Sequence, residues 1–162
     1  MAAEGIRVRP AAPTDRDWIA AFLAEHGSLR VARGGELVDP FDHPMLVAET
    51  SDGAVGLLTY IVDGEACEVL TLHAVRQWAG AGSALIAAVR AVAAEQGCRR
   101  LWLVTTNDNV DALRFYQRRG FRLAAVRPGL VDEARRTLKP EIPETCAYGI
   151  PLRDEIELEI RF

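Results

Sequence analysis

Gln77-Trp78-Ala79-Gly80-Ala81-Gly82-Ser83 is the stretch on which the reading of this chain turns. Upstream of it the sequence alternates like strands; downstream it repeats like a helix. From Gly80 to Gln96, Leu85, Val89 and Val92 recur at helical spacing with Ile86 and Ala93 beside them, and Gly97 is the expected residue after the last turn. Upstream, Met45–Glu49 reads as a strand, Ser51-Asp52-Gly53 as a turn, and Ala54–Val62 as a second strand. Asp63-Gly64 signals a type I′ hairpin, and Cys67–Ala74 follows as a third, antiparallel strand. Strict alternation along it puts Glu68, Leu70 and Leu72 on one face and Cys67, Val69, Thr71 and His73 on the other.

Further out, Ile6–Arg9 alternates as a short strand, and Thr14 and Asp15 offer N-cap oxygens for a helix to about His26. Trp18, Phe22 and Leu23 would form its apolar face. Residues 27–44 read as loop with one short helix. Beyond Gly97 come a strand (Arg100–Thr106), a helix (Val110 to about Arg118, closed by Gly120) and a strand (Phe121–Val126). A long connection, Gly129–Pro151, carries a helix near Val131–Leu138 and leads to a last strand, Asp154–Phe162. None of the eight prolines falls between Met45 and Arg127, which marks that window as the regular core. The order β-α-(α)-β-β-β-α-β-α-β-β describes an α/β (α+β) domain. Its sheet is mixed and mainly antiparallel, flanked by helices, and not a doubly wound parallel one.

The 162 residues suit one domain, 1–162, with 129–151 as an extended connection. A net charge of −4 argues against nucleic-acid binding. Three widely spaced cysteines, no CxxC, and histidines at no ligand spacing exclude a disulfide framework and a structural zinc site. Cys67 and Cys98 read as small core residues. The N-terminus has no apolar signal region, and no apolar run reaches the roughly 20 residues of a membrane span, so the expected setting is cytoplasmic, with no membrane partner. A homodimer is left open.

Two glycines between strand and helix let a backbone approach a ligand, and the free amides and dipole of a helix start favour an anion such as a pyrophosphate. The alternative is a tight turn with small residues for packing. A dinucleotide fingerprint fails because Leu85 holds the third glycine position, and a P-loop fails because no Lys is near. The motif resembles the acyl-CoA loop of the GNAT superfamily of acyl-CoA-dependent N-acyltransferases, Arg/Gln-x-x-Gly-x-Gly/Ala, filled by Gln77, Gly80 and Gly82. Asn109, Ala112, Phe115-Tyr116 and Gly120-Phe121 match a second family motif in order and spacing. The likeness covers Met45 to Val126 well, and the ends by strand pattern only.

The resemblance implies an N-acetyltransferase that uses acetyl-CoA as co-substrate, needs no metal, and lets an amine attack the thioester directly in a ternary complex. It implies that the strand ending at Ala74 splays from the next. Backbone groups of Leu72 and Ala74 would then face pantetheine, and the amides of Ala79, Gly80, Ala81, Gly82 and Ser83 would hold the pyrophosphate. Trp78 packs on the cofactor or is a loop aromatic. Asn109 orients the cofactor, caps the next helix, or does both. Tyr116 stands where the family places the acid that protonates the leaving thiolate; the alternative is an aromatic packing with Leu113. For the base, Glu68 ranks first, against a plain edge-facing Glu–Arg pair. His73 ranks second because it faces the other way unless a bulge turns the strand. Arg127, Arg135 and Arg136 would receive an anionic group of the acceptor or form a solvated face, and 129–151 would order over the acceptor as a lid. Competing readings are a non-catalytic acyl-CoA-binding sensor and an unrelated interaction protein with a glycine turn.

Overall fold

The computed structural model describes residues 5–75 and 80–162. Its elements run β1 (Arg7–Pro10), α1 (Arg16–Glu25), β2 (Val31–Arg33), β3 (Glu36–Val38), β4 (Met45–Thr50), β5 (Gly53–Asp63), β6 (Ala66–Ala74), α2 (Ala81–Glu95), β7 (Arg100–Thr106), α3 (Val110–Arg118), β8 (Arg122–Arg127), α4 (Leu130–Thr137) and β9 (Glu155–Arg161). Seven strands form one sheet in the order β1-β4-β5-β6-β7-β9-β8. Among the described residues its only parallel pair is β6–β7.

The sheet is covered on both faces because its central strands are apolar on both. α1 buries Ile19, Phe22 and Leu23 against Met45, Val47 and Leu57. α2 buries Leu85, Ile86, Val89 and Ala93 on the opposite face, with Leu46, Leu58, Val69, Leu101, Leu103 and Leu158. Each large side chain so buried contributes about 1.5–3 kcal/mol, so α2 is the main anchor of the fold. β9 alternates as its sequence requires: Ile156, Leu158 and Ile160 pack toward α2, while Glu157 and Glu159 meet Arg100 on the other face.

Five expectations need correction. Residues 27–44 hold the short helix, a 3-10 turn at Pro40–Asp42, but what read as loop before it is a short hairpin of β2 and β3, closed by Gly34 and Gly35 at φ 60° and 81°. Three-residue strands are too short to show a period. The turn between β5 and β6 is Gly64–Glu65, not Asp63-Gly64, since Asp63 pairs with Ala66 and only Gly64 has a positive φ. Asp15 does not cap α1 with its side chain; its carboxylate takes the Ala12 N–H at 2.7 Å and Arg9 at 2.7 and 2.9 Å. Ile19, rather than Trp18, completes the buried face of α1, and Trp18 stacks on Phe22 with ring centres 4.9 Å apart.

The fifth correction governs the site. Tyr60 pairs with Val69 and Thr59 with Thr71, so Leu70 is an extra residue bulged out of β6. The bulge reverses the alternation beyond it. Glu68, Thr71 and His73 share the α1 face, and Cys67, Val69, Leu72 and Ala74 share the α2 face.

Candidate active site

The bulge also ends the pairing of β6 with β7. Their ladder runs from Ala66–Arg100 to Val69–Leu103 and stops, while β7 continues with β9 to Thr106. The two strands part beyond this point. The Val75 N–H donates to the Val55 carbonyl at 2.8 Å, which sets the phase of the β5–β6 ladder. With its two-residue alternation, Thr71 and His73 turn their backbone groups to β5, and Leu72 and Ala74 turn theirs into the gap.

Four cavities with shared walls cross the molecule here. One of about 600 Å³ lies at the head of α2, beside Gly80, Gly82, Ser83, Phe115 and Arg119. Gly82 and Phe115 also border the next, about 370 Å³, with Leu72, Ala74 and Tyr116. Leu72, Tyr116 and Asn109 continue into the gap itself, about 190 Å³. Ser28, Val31, Thr105 and Asn109 are common to the gap and to a fourth cavity of about 350 Å³, between the β2–β3 hairpin and α4.

At the head of α2, Gly80 is left-handed (φ 86°), and no side chain caps the helix. The first-turn N–H groups of an α-helix have no partner within it, so this end suits an anion. Gly82 allows close packing: a Cβ there would stand 3.1 Å from Phe115 Cζ. The Arg119 guanidinium lies 3.6 Å above the Phe115 ring and donates to Ser83 Oγ at 2.6 and 3.1 Å. Arg114 and Arg118 border the same cavity. Sequence reasoning passed over these three cations, although Arg114 and Arg118 are one helical turn apart on α3. Gln77, Trp78 and Ala79 lie outside the described residues.

Tyr116 is buried, edge-on to Phe115 and Phe121 at 5.2 and 5.4 Å, and borders the gap. Burial pushes its phenol above the ordinary range, only partly offset by Arg119, so the hydroxyl stays protonated. Asn109 caps α3, its Oδ1 accepting the Ala112 N–H at 3.2 Å, and also borders the gap.

Glu68 is buried on the central strand, and Arg33 of the hairpin takes both its oxygens, at 2.6 and 2.8 Å. The pair is interior rather than at an edge. Glu68 lines none of the four cavities; Arg33 lines the fourth.

His73, turned by the bulge, stands with Nε2 2.9 Å from Ser28 Oγ and its ring stacked on His26 at 4.4 Å. Burial, and secondly the nearby His26, pull its imidazole down to about 4 from 6.5. Between those values only the unfolded chain takes up the proton, so stability is full above pH 6.5 and falls toward pH 4, by up to about 3 kcal/mol. Urea unfolding at pH 7 and 4.5 should show a larger loss for the wild type than for His73→Gln. Equal losses would contradict it.

The 129–151 connection is tied down. Lys139 Nζ donates to the carbonyls of Gly27 and Arg30, each at 2.6 Å, and Arg30 meets Glu141 at 2.8 Å. Arg135 is spent on the carbonyls of Ile142, Pro143 and Leu152 and on Asp132, and Arg127 on Glu155 and Glu157. Neither is placed to receive an acceptor's anion, and Arg136 is exposed. Asp108, beside the cap residue Asn109, is buried and accepts from the Thr106 hydroxyl and the Ala147 N–H. Among the described residues no group of three or more His, Cys, Asp or Glu is placed to hold a metal ion, and no helix is long and apolar enough to cross a membrane.

Comparison with known proteins finds relatives for this chain. The model of the Acetyltransferase (GNAT) family matches residues 12–121. The Bacillus subtilis (strain 168) protein YdhI is 42% identical over 138 residues, covering 83% of this chain and 85% of its own. Among solved structures, a Bacillus subtilis acetyltransferase in complex with CoA superposes with a TM-score of 0.71 at 16% identity, over 98% of this chain and 99% of that one. A GNAT family acetyltransferase from Elizabethkingia anophelis with acetyl-CoA bound gives 0.68 at 20% identity, over 97% and 98%. With the family model matched over more than half of its length, the chain belongs to the Acetyltransferase (GNAT) family.

Proposed function

We propose that the protein is an N-acetyltransferase that carries an acetyl group from acetyl-CoA to an amine by direct attack. The observation that carries the reading is the pair of backbone groups on Leu72 and Ala74, turned into a gap that runs to the open head of α2. Acetyl-CoA supplies an activated acyl group whose thiolate leaves on attack.

The amides of Gly80 to Ser83 take the pyrophosphate at the helix start, with Arg118 and Arg119 adding positive charge beside it. Leu72 and Ala74 bond the pantetheine amides as an added strand would. Asn109, at the junction of the gap and the fourth cavity, borders both donor and acceptor. Holding the two in adjoining cavities removes the entropy cost of their encounter. Tyr116, kept neutral by burial, donates its proton to the departing thiolate. The acceptor amine enters from the cavity between the β2–β3 hairpin and α4.

Calorimetry with coenzyme A and a thiol-release assay with acetyl-CoA test this reading. Gly82→Val should weaken coenzyme A binding by about tenfold, or 1.4 kcal/mol, because the new methyls crowd Phe115 and intrude on the cavity. Unchanged affinity in Gly82→Val would remove the head of α2 from the binding site.

A further inference from the structure

The proposed transfer requires a group that takes the proton from the attacking nitrogen, and the sequence favours Glu68. The geometry points elsewhere. Both Glu68 oxygens are held by Arg33, and the residue borders none of the cavities. The other carboxylates near the trough are engaged as well. Glu155 accepts the Gly34 N–H and meets Arg127, and Asp111 accepts the Tyr148 hydroxyl at 2.7 Å.

Ser28 and His73 are placed differently. Ser28 borders both the gap and the acceptor cavity, and His73 borders the gap but not the acceptor cavity. The hydroxyl therefore stands between the imidazole and the space an amine would fill. Their 2.9 Å separation is a good hydrogen-bond distance. With its proton on Nδ1, His73 offers the Nε2 lone pair to the Ser28 hydroxyl. His26 backs the ring at 4.4 Å and is itself fixed by its Nδ1 contact to the Phe22 carbonyl at 2.8 Å.

Resting on the acetyltransferase reading, we infer that Ser28 and His73 form the proton relay that deprotonates the attacking amine. As the nitrogen adds to the thioester carbonyl, its proton passes to Ser28 Oγ while the Ser28 hydroxyl proton passes to His73 Nε2. The C–N bond forms, the C–S bond breaks, and the thiolate takes the Tyr116 proton. The imidazolium then gives its proton to water and the phenolate regains one, so both groups return to their starting state. Ser28 touches the amine; His73 acts through it.

The test is steady-state thiol release with acetyl-CoA and three amines, tyramine, spermidine and Nα-acetyl-lysine, for wild type, Ser28→Ala, Ser28→Thr and His73→Gln. Ser28→Ala and His73→Gln should each lower kcat about 100-fold, with KM for acetyl-CoA unchanged, since proton transfer of this kind contributes about 10²–10⁴-fold. Ser28→Thr keeps the hydroxyl and should keep most of the rate, which a merely structural role would not require. A wild-type kcat in Ser28→Ala, or a loss confined to KM, would overturn the relay while leaving the acetyltransferase reading intact. Should His73→Gln fail to fold, the two Ser28 variants decide alone. A wild type that releases no thiol with any of the amines would overturn both.

Discussion

Replacing Arg33 by alanine is expected to destabilise the fold by about 3–5 kcal/mol, the usual cost of stranding one partner of a buried ion pair. Glu68 sits on the central strand with its side chain 4% exposed, and among the described residues Arg33 is the side chain that meets it in charge and in hydrogen bonding. Burial works against the Arg33 charge, but Glu68 and Glu36 together outweigh it and hold the guanidinium above its ordinary range. Without Arg33 the carboxylate must stay charged in an apolar setting or take up a proton. Urea denaturation at pH 7 measures the loss. The double variant Arg33→Met, Glu68→Leu should recover most of the loss, since it leaves no lone charge. A loss under about 1 kcal/mol for Arg33→Ala would mean that the pair behaves like a surface bridge.

Tyr116→Phe is expected to lower kcat by about 100-fold or more while leaving coenzyme A affinity and stability near wild type. The ring contacts with Phe115 and Phe121 survive the change, and only the hydroxyl is lost. Among the described residues no side chain is bonded to that hydroxyl, so its removal strands none of them. Thiol release and calorimetry on one preparation separate the outcomes. A full rate would put the acid elsewhere, and a protein that binds coenzyme A but releases no thiol even as wild type would be the non-catalytic sensor.

The sequence announced those elements whose own residues repeat over several turns or strands. The periodicity of Leu85 and Val89 located α2, and the spacing from Asn109 to Gly120 located α3 within a residue. Gly80 and Gly82 could be read because glycine is the physical requirement there. What stayed hidden was non-local. The β2–β3 hairpin is held by Arg33 on Glu68 and by the Gly34 N–H on Glu155, partners far along the chain. Likewise, Ser28 lies 45 residues from His73 and meets it only through tertiary packing. The Leu70 bulge has no signature in an apolar strand, where every residue type fits either face.

That bulge has a consequence for how such a protein can change over generations. Which wall His73 adorns, and whether the cleft opens at all, depends on parity: an odd residue count between Thr59's partner and Tyr60's. Point substitution cannot alter a count. Variation among descendants can therefore retune the cleft's lining freely, whereas gain or loss of one codon in β6 would close the cleft and move the imidazole to the opposite side in a single event.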